Sequence, residues 1–264
     1  MKVVSYRRDG GIRAGVVEDD VVRDAGVSPL APVPAEIIGP LSEVSLAAPV
    51  PRPGKIVCIG LNYRDHAAES GAEPPERPLV FSKYGTSVIG PGDAIQLPAF
   101  TTEVDYEAEL GVVIGVIARG VPVTSALDHV FGYTCVNDVS ARDLQFADGQ
   151  WVRGKSLDTF CPVGPWIVTA DEVPDPQVLG VRCEVNGRVL QDSSTSEMIF
   201  SVAELVSYIS EGITLEPGDL IATGTPAGVG FTRTPPIYLA PGDSVDVSIE
   251  RIGSLINPVV SRQL

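Results

Sequence analysis

The chain has 264 residues, a formal net charge of −15 and few aromatics beside 27 glycines and 23 prolines. That charge argues against nucleic acid, whose phosphates need clustered Lys and Arg, and against anionic membrane surfaces, and it requires local cations for any anionic substrate. The length buries a sizeable core, and the composition fits an α+β, predominantly β fold of short strands joined by turns.

In chain order, "MKVVSYRRDGG" has no long apolar leader, and no apolar run approaches the ~18 residues of a spanning helix. The expectation is a soluble, cytoplasmic protein without a membrane partner. "KVVSYRR" and "IRAGVVEDDVVRDA" read as short strands around an acidic turn. Residues 28–54 are rich in Pro and Ala and read as an extended connection with one helical turn. A boundary near residue 52 separates a small N-terminal β module, 1–52, from a main domain, 53–264. Cys58, Cys135, Cys161 and Cys183 are widely spaced and read as buried free thiols.

The main domain opens with "KIVCIGLNYRDHAAESG", a buried strand followed by a short helix that Gly71 stops. His66 and Glu69 share one helical face; on spacing alone they read as an exposed pair. Pro91-Gly92-Asp93, Pro217-Gly218-Asp219 and Pro241-Gly242-Asp243 each predict a type II turn before a strand. "SVAELVSYISEG" predicts a helix with Ser201 at its N-cap and Glu204 completing a capping box.

The run "TTEVDYEAELGVVIG" carries Glu103, Asp105, Glu107 and Glu109 at every second position. A period of two predicts one strand with four carboxylates on one face, neighbours about 6.6 Å apart at Cα. Such a face is either solvated or answered by a hard cation, since Mg²⁺, Mn²⁺ and Ca²⁺ prefer carboxylate oxygens. The apolar continuation places the acidic end at the mouth of a buried strand. In "FGYTCVNDVSARDLQ", Asp138 follows a buried strand and offers a third ligand; the alternative is that Asp138 or Ser140 caps the next helix, with Asp143 as box partner.

"GQWVRGKS", residues 149–156, fits the phosphate-loop pattern letter for letter. Its context does not: a helical, polar segment precedes it and "LDTFCPVGPW" cannot continue a helix. Lys155 stands as either a pocket cation or a surface lysine.

Together these stretches resemble the fumarylacetoacetate hydrolase superfamily over almost the whole main domain. The matching segments are "VCIGLNYRDHAAESG", "DYEAELGVVIG", "GYTCVNDVSARDLQ", "WVRGKSLDTFCPVGPW", "VNGRVLQDSSTSEMIFSVAELVSYIS", "PGDLIATGTPAGVG" and "INPVV". They are similar to the bacterial branch of 2,4-diketo acid hydrolases, acylpyruvate hydrolases and 2-hydroxyhepta-2,4-diene-1,7-dioate isomerases. The resemblance implies a mixed β-sandwich roll, a homodimer and one Mg²⁺ or Mn²⁺ per subunit. It places the metal on Glu107, Glu109 and Asp138, with Glu103 and Asp105 farther out or solvated. It assigns Lys155 to the pocket, Arg142, Gln145 and Thr225 to substrate, and His66 with Glu69 to water activation on a mobile segment. Many members read Phe-x-Lys-Pro where this chain has Phe81-Ser82-Lys83-Tyr84, so Lys83 receives no role.

The function this implies is hydrolysis of a C–C bond in a 2,4-dioxo acid through a metal-stabilised enolate. Lys155 adds charge at the developing oxyanion, Thr225 and Arg142 hold a carboxylate, and His66 takes a proton from water. The same enolate serves an isomerase, an oxaloacetate decarboxylase or a tautomerase. A metal-binding dimer without turnover is the third alternative.

Overall fold

The computed structural model describes residues 1–262. The main sheet has twelve strands. Along its path lie Ile37–Pro40, Val21–Asp24, Gly11–Glu18, Lys2–Arg8, Cys161–Thr169, Val130–Asn137, Ala108–Ile114, Leu220–Ala222, Ile56–Gly60 and Leu79–Ser82. The N-terminal strands thus join the same sheet as the rest, where Lys2 and Val3 pair with Val168 and Ile167. A five-stranded sheet contains Arg188–Ser194, Gly180–Val185, Ser244–Ile249, Gly253–Ser261 and Ile95–Leu97.

Antiparallel neighbours predominate, but Leu220–Ala222 runs parallel to Ile56–Gly60, and Gly253–Ser261 parallel to Ile95–Leu97. The sheets are therefore mixed, as expected. Leu110, Val112 and Tyr133 of the large sheet share one buried cluster with Val181, Val247, Ile249 and Leu255 of the small one. This is the sandwich core, and Val202, Leu205, Val206 and Ile209 of helix Val202–Gly212 also enter it. Ser201 and Glu204 form the expected capping box.

The punctuation of the chain follows its turn chemistry. Gly92, Gly218 and Gly242 all have positive φ, as the three Pro-Gly-Asp turns require. Gly71 closes helix Arg64–Ser70 in the left-handed conformation, with its amide and that of Ala72 returning to helical carbonyls. The connection after Asp24 contains one 3₁₀ turn, Leu41–Glu43. All four cysteines are free and buried. Among the described residues no helix is long and apolar enough to cross a membrane.

The expected single strand across residues 103–110 is two pieces. Val104–Asp105 pairs with Ser140–Ala141, and Ala108–Ile114 pairs with Val130–Asn137. Between them the Glu107 amide donates to the Asn137 side chain rather than into the ladder. The break puts Asp105 on a separate pairing, where Arg142 and the amides of Gly230 and Phe231 bind it, so the four carboxylates do not alternate along one continuous strand.

Leu110 is fully buried at the centre of the core strand. Leu110→Ala is expected to destabilise the protein by about 2–5 kcal/mol, through lost burial and a residual cavity. Urea denaturation should show a lower midpoint with an unchanged m-value.

Candidate active site

Two paired strand ends bring the acidic groups together. Glu109 lies within strand Ala108–Ile114, Glu107 stands just before it, and Asp138 follows the end of Val130–Asn137. The pairing of Ala108 with Asn137 puts those ends side by side, and the Asp138 amide donates to the Glu107 carbonyl at 2.9 Å. One carboxylate oxygen from each of Glu107, Glu109 and Asp138 lies within 4.8 Å of the others, and all three residues are buried. Ala141, not Asp138 or Ser140, occupies the N-cap position of helix Arg142–Ala147, without a side-chain cap bond. Asp138 is therefore free of capping duty.

Cations surround this cluster. Lys155 Nζ donates to Glu107 at 2.7 Å and to Asp138 at 2.9 Å. Lys83 Nζ donates to the other Asp138 oxygen at 2.5 Å and to the Val139 carbonyl at 3.1 Å. Arg142 Nη2 lies 2.7 Å from Glu107 and 2.9 Å from Asp105. Arg142 thus bridges the two carboxylates in close ion pairs. Arg142 is held in place by Nε on Asp105, Nη1 on Gln145 and the ring of Phe231, 4.5 Å away. Asp105 in turn accepts the amides of Gly230 and Phe231 and is fully buried. It is an outer member of the cluster rather than a solvated one. Glu103 lies still farther out, within reach of the Tyr238 hydroxyl.

Burial opposes the charge on Glu107, yet Lys155 and Arg142 hold its carboxyl well below the usual range, at about 2. Glu109 goes the other way. Burial and the neighbouring Asp138 and Glu107 push it well above an ordinary glutamate, and Lys155 and the Gly224 amide offset this only partly. Burial likewise opposes the Lys155 charge, but Asp138 and Glu107 raise its pKa and keep the ammonium protonated.

The donor set fits a hard divalent ion. Oxygens sharing one Mg²⁺ at about 2.1 Å stand at most about 4.2 Å apart, so a cluster spanning 4.8 Å needs only a small closure. Glu109 also has no cation of its own, the condition that a bound ion relieves.

A cavity of about 240 Å³ opens onto Glu107, Glu109, Lys155, Arg142, Gln145, Thr225 and His66. Thr225 Oγ1 donates to the Ala108 carbonyl at 3.0 Å and accepts from Gln191 at 2.8 Å. His66 and Glu69 belong to helix Arg64–Ser70, and Nδ1 of the imidazole lies 3.4 Å from Glu69 Oε2. Glu69 is anchored by the Gly228 amide at 3.0 Å. Burial raises the Glu69 pKa, but the His66 and Gly228 contacts lower it further, so the carboxylate stays charged. His66 is thus buried on the cavity wall, while Glu69 stands behind it on the exposed side of the helix.

The phosphate-loop pattern folds as helix Val152–Lys155, preceded by helix Arg142–Ala147 and a turn instead of a strand. Lys155 consequently faces carboxylates. Lys83 is the residue that sequence reasoning passed over. A period of two from Leu79 and Phe81, both on the cavity wall, carries the chain to Lys83 on the same side. Gln191 was also missed: it accepts the Ala108 amide and donates to Thr225 and Pro226 from a distant strand, which no local pattern announces.

The chain is similar to several known proteins. The sequence model described as "Fumarylacetoacetate (FAA) hydrolase C-terminal" matches residues 55–260, and that described as "Rv2993c-like, N-terminal" matches residues 1–49. A Bacillus subtilis (strain 168) protein named oxaloacetate tautomerase YisK is 51% identical over 223 residues, 83% of this chain and 74% of that protein. Bos taurus oxaloacetate tautomerase FAHD2A, mitochondrial, is 49% identical over 223 residues, 84% of this chain and 71% of that protein. The crystal structure of 2-hydroxyhepta-2,4-diene-1,7-dioate isomerase from Mycobacterium marinum superposes with a TM-score of 0.84 at 43% identity, covering 100% of both chains.

Glu109→Gln keeps the shape of the cluster and removes one ligand charge. It is expected to weaken Mn²⁺ binding by more than the roughly 10–100-fold typical of a lost outer partner, read by electron paramagnetic resonance titration. Lys83→Met leaves a buried Asp138 oxygen without its cation, an effect of roughly 3–5 kcal/mol. The melting temperature should fall and be partly restored by Mn²⁺.

Proposed function

The chain belongs to the fumarylacetoacetate hydrolase family, and from that premise we propose that it is a divalent-metal-dependent enzyme that enolises small 2-oxo acids, with keto–enol tautomerisation of oxaloacetate as its reaction. The observation that carries this reading is the buried meeting of Glu107, Glu109 and Asp138 with Lys155 at the wall of a cavity that also holds His66. Two relatives about half identical to this chain are named oxaloacetate tautomerases, which supports the choice of outcome.

Glu107, Glu109 and Asp138 would hold one Mg²⁺ or Mn²⁺, which supplies Lewis acidity toward a 2-oxo group and its carboxylate. Lys155, kept protonated by its two carboxylate partners, sets a positive charge where negative charge develops on the 2-oxo oxygen. Arg142, anchored on Asp105 and Gln145, adds a second positive charge toward substrate carboxylate oxygens, and Thr225, whose hydroxyl proton goes to the Ala108 carbonyl, lines the wall beside them. His66 places an imidazole, a common proton-transfer group, on the cavity wall. With Nδ1 turned to Glu69, Nε2 of His66 is the ring atom left to move a proton. It takes a proton from C3; the C–H electron pair forms the C2–C3 double bond, the carbonyl π pair moves onto oxygen, and the imidazolium returns the proton to that oxygen. The reverse sequence returns the keto form.

The His66–Glu69 contact supports a second reading. Facing a 2,4-dioxo acid, the same imidazole would take a proton from water. The water oxygen would add to C4, the C3–C4 bond would break, and pyruvate would leave as its enol.

With Mg²⁺ or Mn²⁺ added, the protein is expected to speed the decay of enol-oxaloacetate absorbance above the uncatalysed rate. His66→Gln should lower that rate by about 10²–10⁴-fold, the range for a lost acid–base group. An unchanged rate in this variant removes His66 from proton transfer. Pyruvate release from acylpyruvates by the wild type, faster than oxaloacetate tautomerisation, would make the hydrolytic reading the primary one.

A further inference from the structure

The cavity is polar at one end only. Lys155 and Arg142 are its lining cations, and both stand on the carboxylate cluster. The remaining wall is largely apolar and includes Leu61, Leu79, Phe81, Phe146, Trp151 and Phe231. The aromatics form two edge-to-face pairs, Phe81–Trp151 at 5.3 Å and Phe146–Phe231 at 5.5 Å. A four-carbon dicarboxylate gathered at the polar end leaves this wall without a task.

Trp151 is fixed in that wall. It immediately precedes helix Val152–Lys155, and its carbonyl accepts the Lys155 amide at 3.0 Å. Its ring lies directly on Gly60. A Cβ at that glycine would stand 2.5 Å from Cζ3 and 2.9 Å from Cη2 of the indole. Gly60 is not among the positive-φ residues, so its backbone conformation does not demand glycine. What excludes a side chain there is the indole. The Phe81 ring is in contact with both the Trp151 edge and the Lys155 ammonium, which lies 5.3 Å from its centroid. One short segment thus links the cation at the polar end to the flat wall at the apolar end.

We infer that Trp151, seated on Gly60, is a specificity-determining residue that admits 2-oxo acids bearing a short, uncharged, apolar tail and limits the length of that tail. The inference rests on the proposed function, since it requires the 2-oxo acid head to sit at the carboxylate cluster. A charged distal group finds no free cation along this wall, whereas an alkyl or aryl tail buries against Trp151 and Phe81. At about 240 Å³ the cavity suits a small acid with a short tail rather than a large ligand.

The test titrates the Mn²⁺-loaded full chain with oxalate, pyruvate, 2-oxohexanoate, 2-oxodecanoate and phenylpyruvate, by calorimetry and by tryptophan fluorescence. Affinity should rise from pyruvate to 2-oxohexanoate by about threefold to fourfold per methylene and drop again at 2-oxodecanoate. Phenylpyruvate should quench the fluorescence. The chain has two tryptophans, and Trp166 donates to the Ile252 carbonyl away from this cavity. The quench should therefore survive Trp166→Phe and vanish in Trp151→Phe. Gly60→Ala, which displaces the indole, should lower the ratio of 2-oxohexanoate to oxalate affinity at least tenfold, and Trp151→Ala should move the optimum to longer tails. Oxalate binding with no gain along the tail series, or a quench retained in Trp151→Phe, overturns the inference while leaving the proposed function standing. Failure of oxalate to bind overturns both.

Discussion

The site depends on a near-balance of buried charge. Asp105, Glu107, Glu109 and Asp138 are buried carboxylates, and Lys83, Arg142 and Lys155 are buried cations in contact with them. Each ion removed from water costs several kcal/mol, and only close, well-hydrogen-bonded opposite charges offset that cost. Three of the carboxylates have such partners. Glu109 has only the Gly224 amide, and the excess negative charge appears there as a strongly raised pKa. A divalent ion would turn a net charge of minus one into plus one. An anionic 2-oxo acid then meets a locally positive site inside a protein of net charge −15.

The scaffold holds these charges by features remote from them in sequence. Gly224 reaches Glu109 because a Cβ there would strike Asn62 at 2.8 Å. Asn62, fully buried, ties the segment before the His66 helix to the carbonyls of Phe200 and Thr223. Gln191 bonds the Ala108 amide and Thr225 from the second sheet. Glu109 therefore stands in a core strand and Glu107 and Asp138 at paired strand ends, whereas Lys155 ends a four-residue helix and His66 stands on a seven-residue helix whose Glu69 is moored to the Gly228 amide. Precision is greatest where the carboxylates must be placed, and the proton-moving group sits on a lighter element.

Much of this was legible in the sequence, and the limits have physical causes. The turns at Gly92, Gly218 and Gly242, the stop at Gly71 and the box at Ser201 and Glu204 are set by neighbours within four residues, so local chemistry specifies them. The Glu107–Glu109 pair was legible because alternation survives over that short span. Alternation misplaced Asp105, because the chain leaves the ladder at Tyr106 and Glu107 to pair with a different partner, a tertiary event. Lys83 was set aside for want of a neighbouring proline, although its own alternation with Phe81 carried the signal. The segregation of polar and aromatic cavity walls was not legible at all, since Gly60, Trp151 and Phe231 converge from separate segments.

The aromatic wall also bears on which reaction would follow the proposed enolisation. Hydrolysis needs a water held between His66 and the distal carbonyl; tautomerisation needs only that His66 reach C3. On the proposed reading, a substrate whose tail fills the space beside Trp151 and Phe81 would displace solvent from that wall. A compact dicarboxylate leaves that space to water but offers no ketone at C4 to receive it. On that reading substrate shape, more than any change in the charged cluster, would select between proton transfer alone and bond cleavage. One arrangement of Glu107, Glu109, Asp138 and Lys155 is compatible with both outcomes because each begins with the same development of charge on the 2-oxo oxygen.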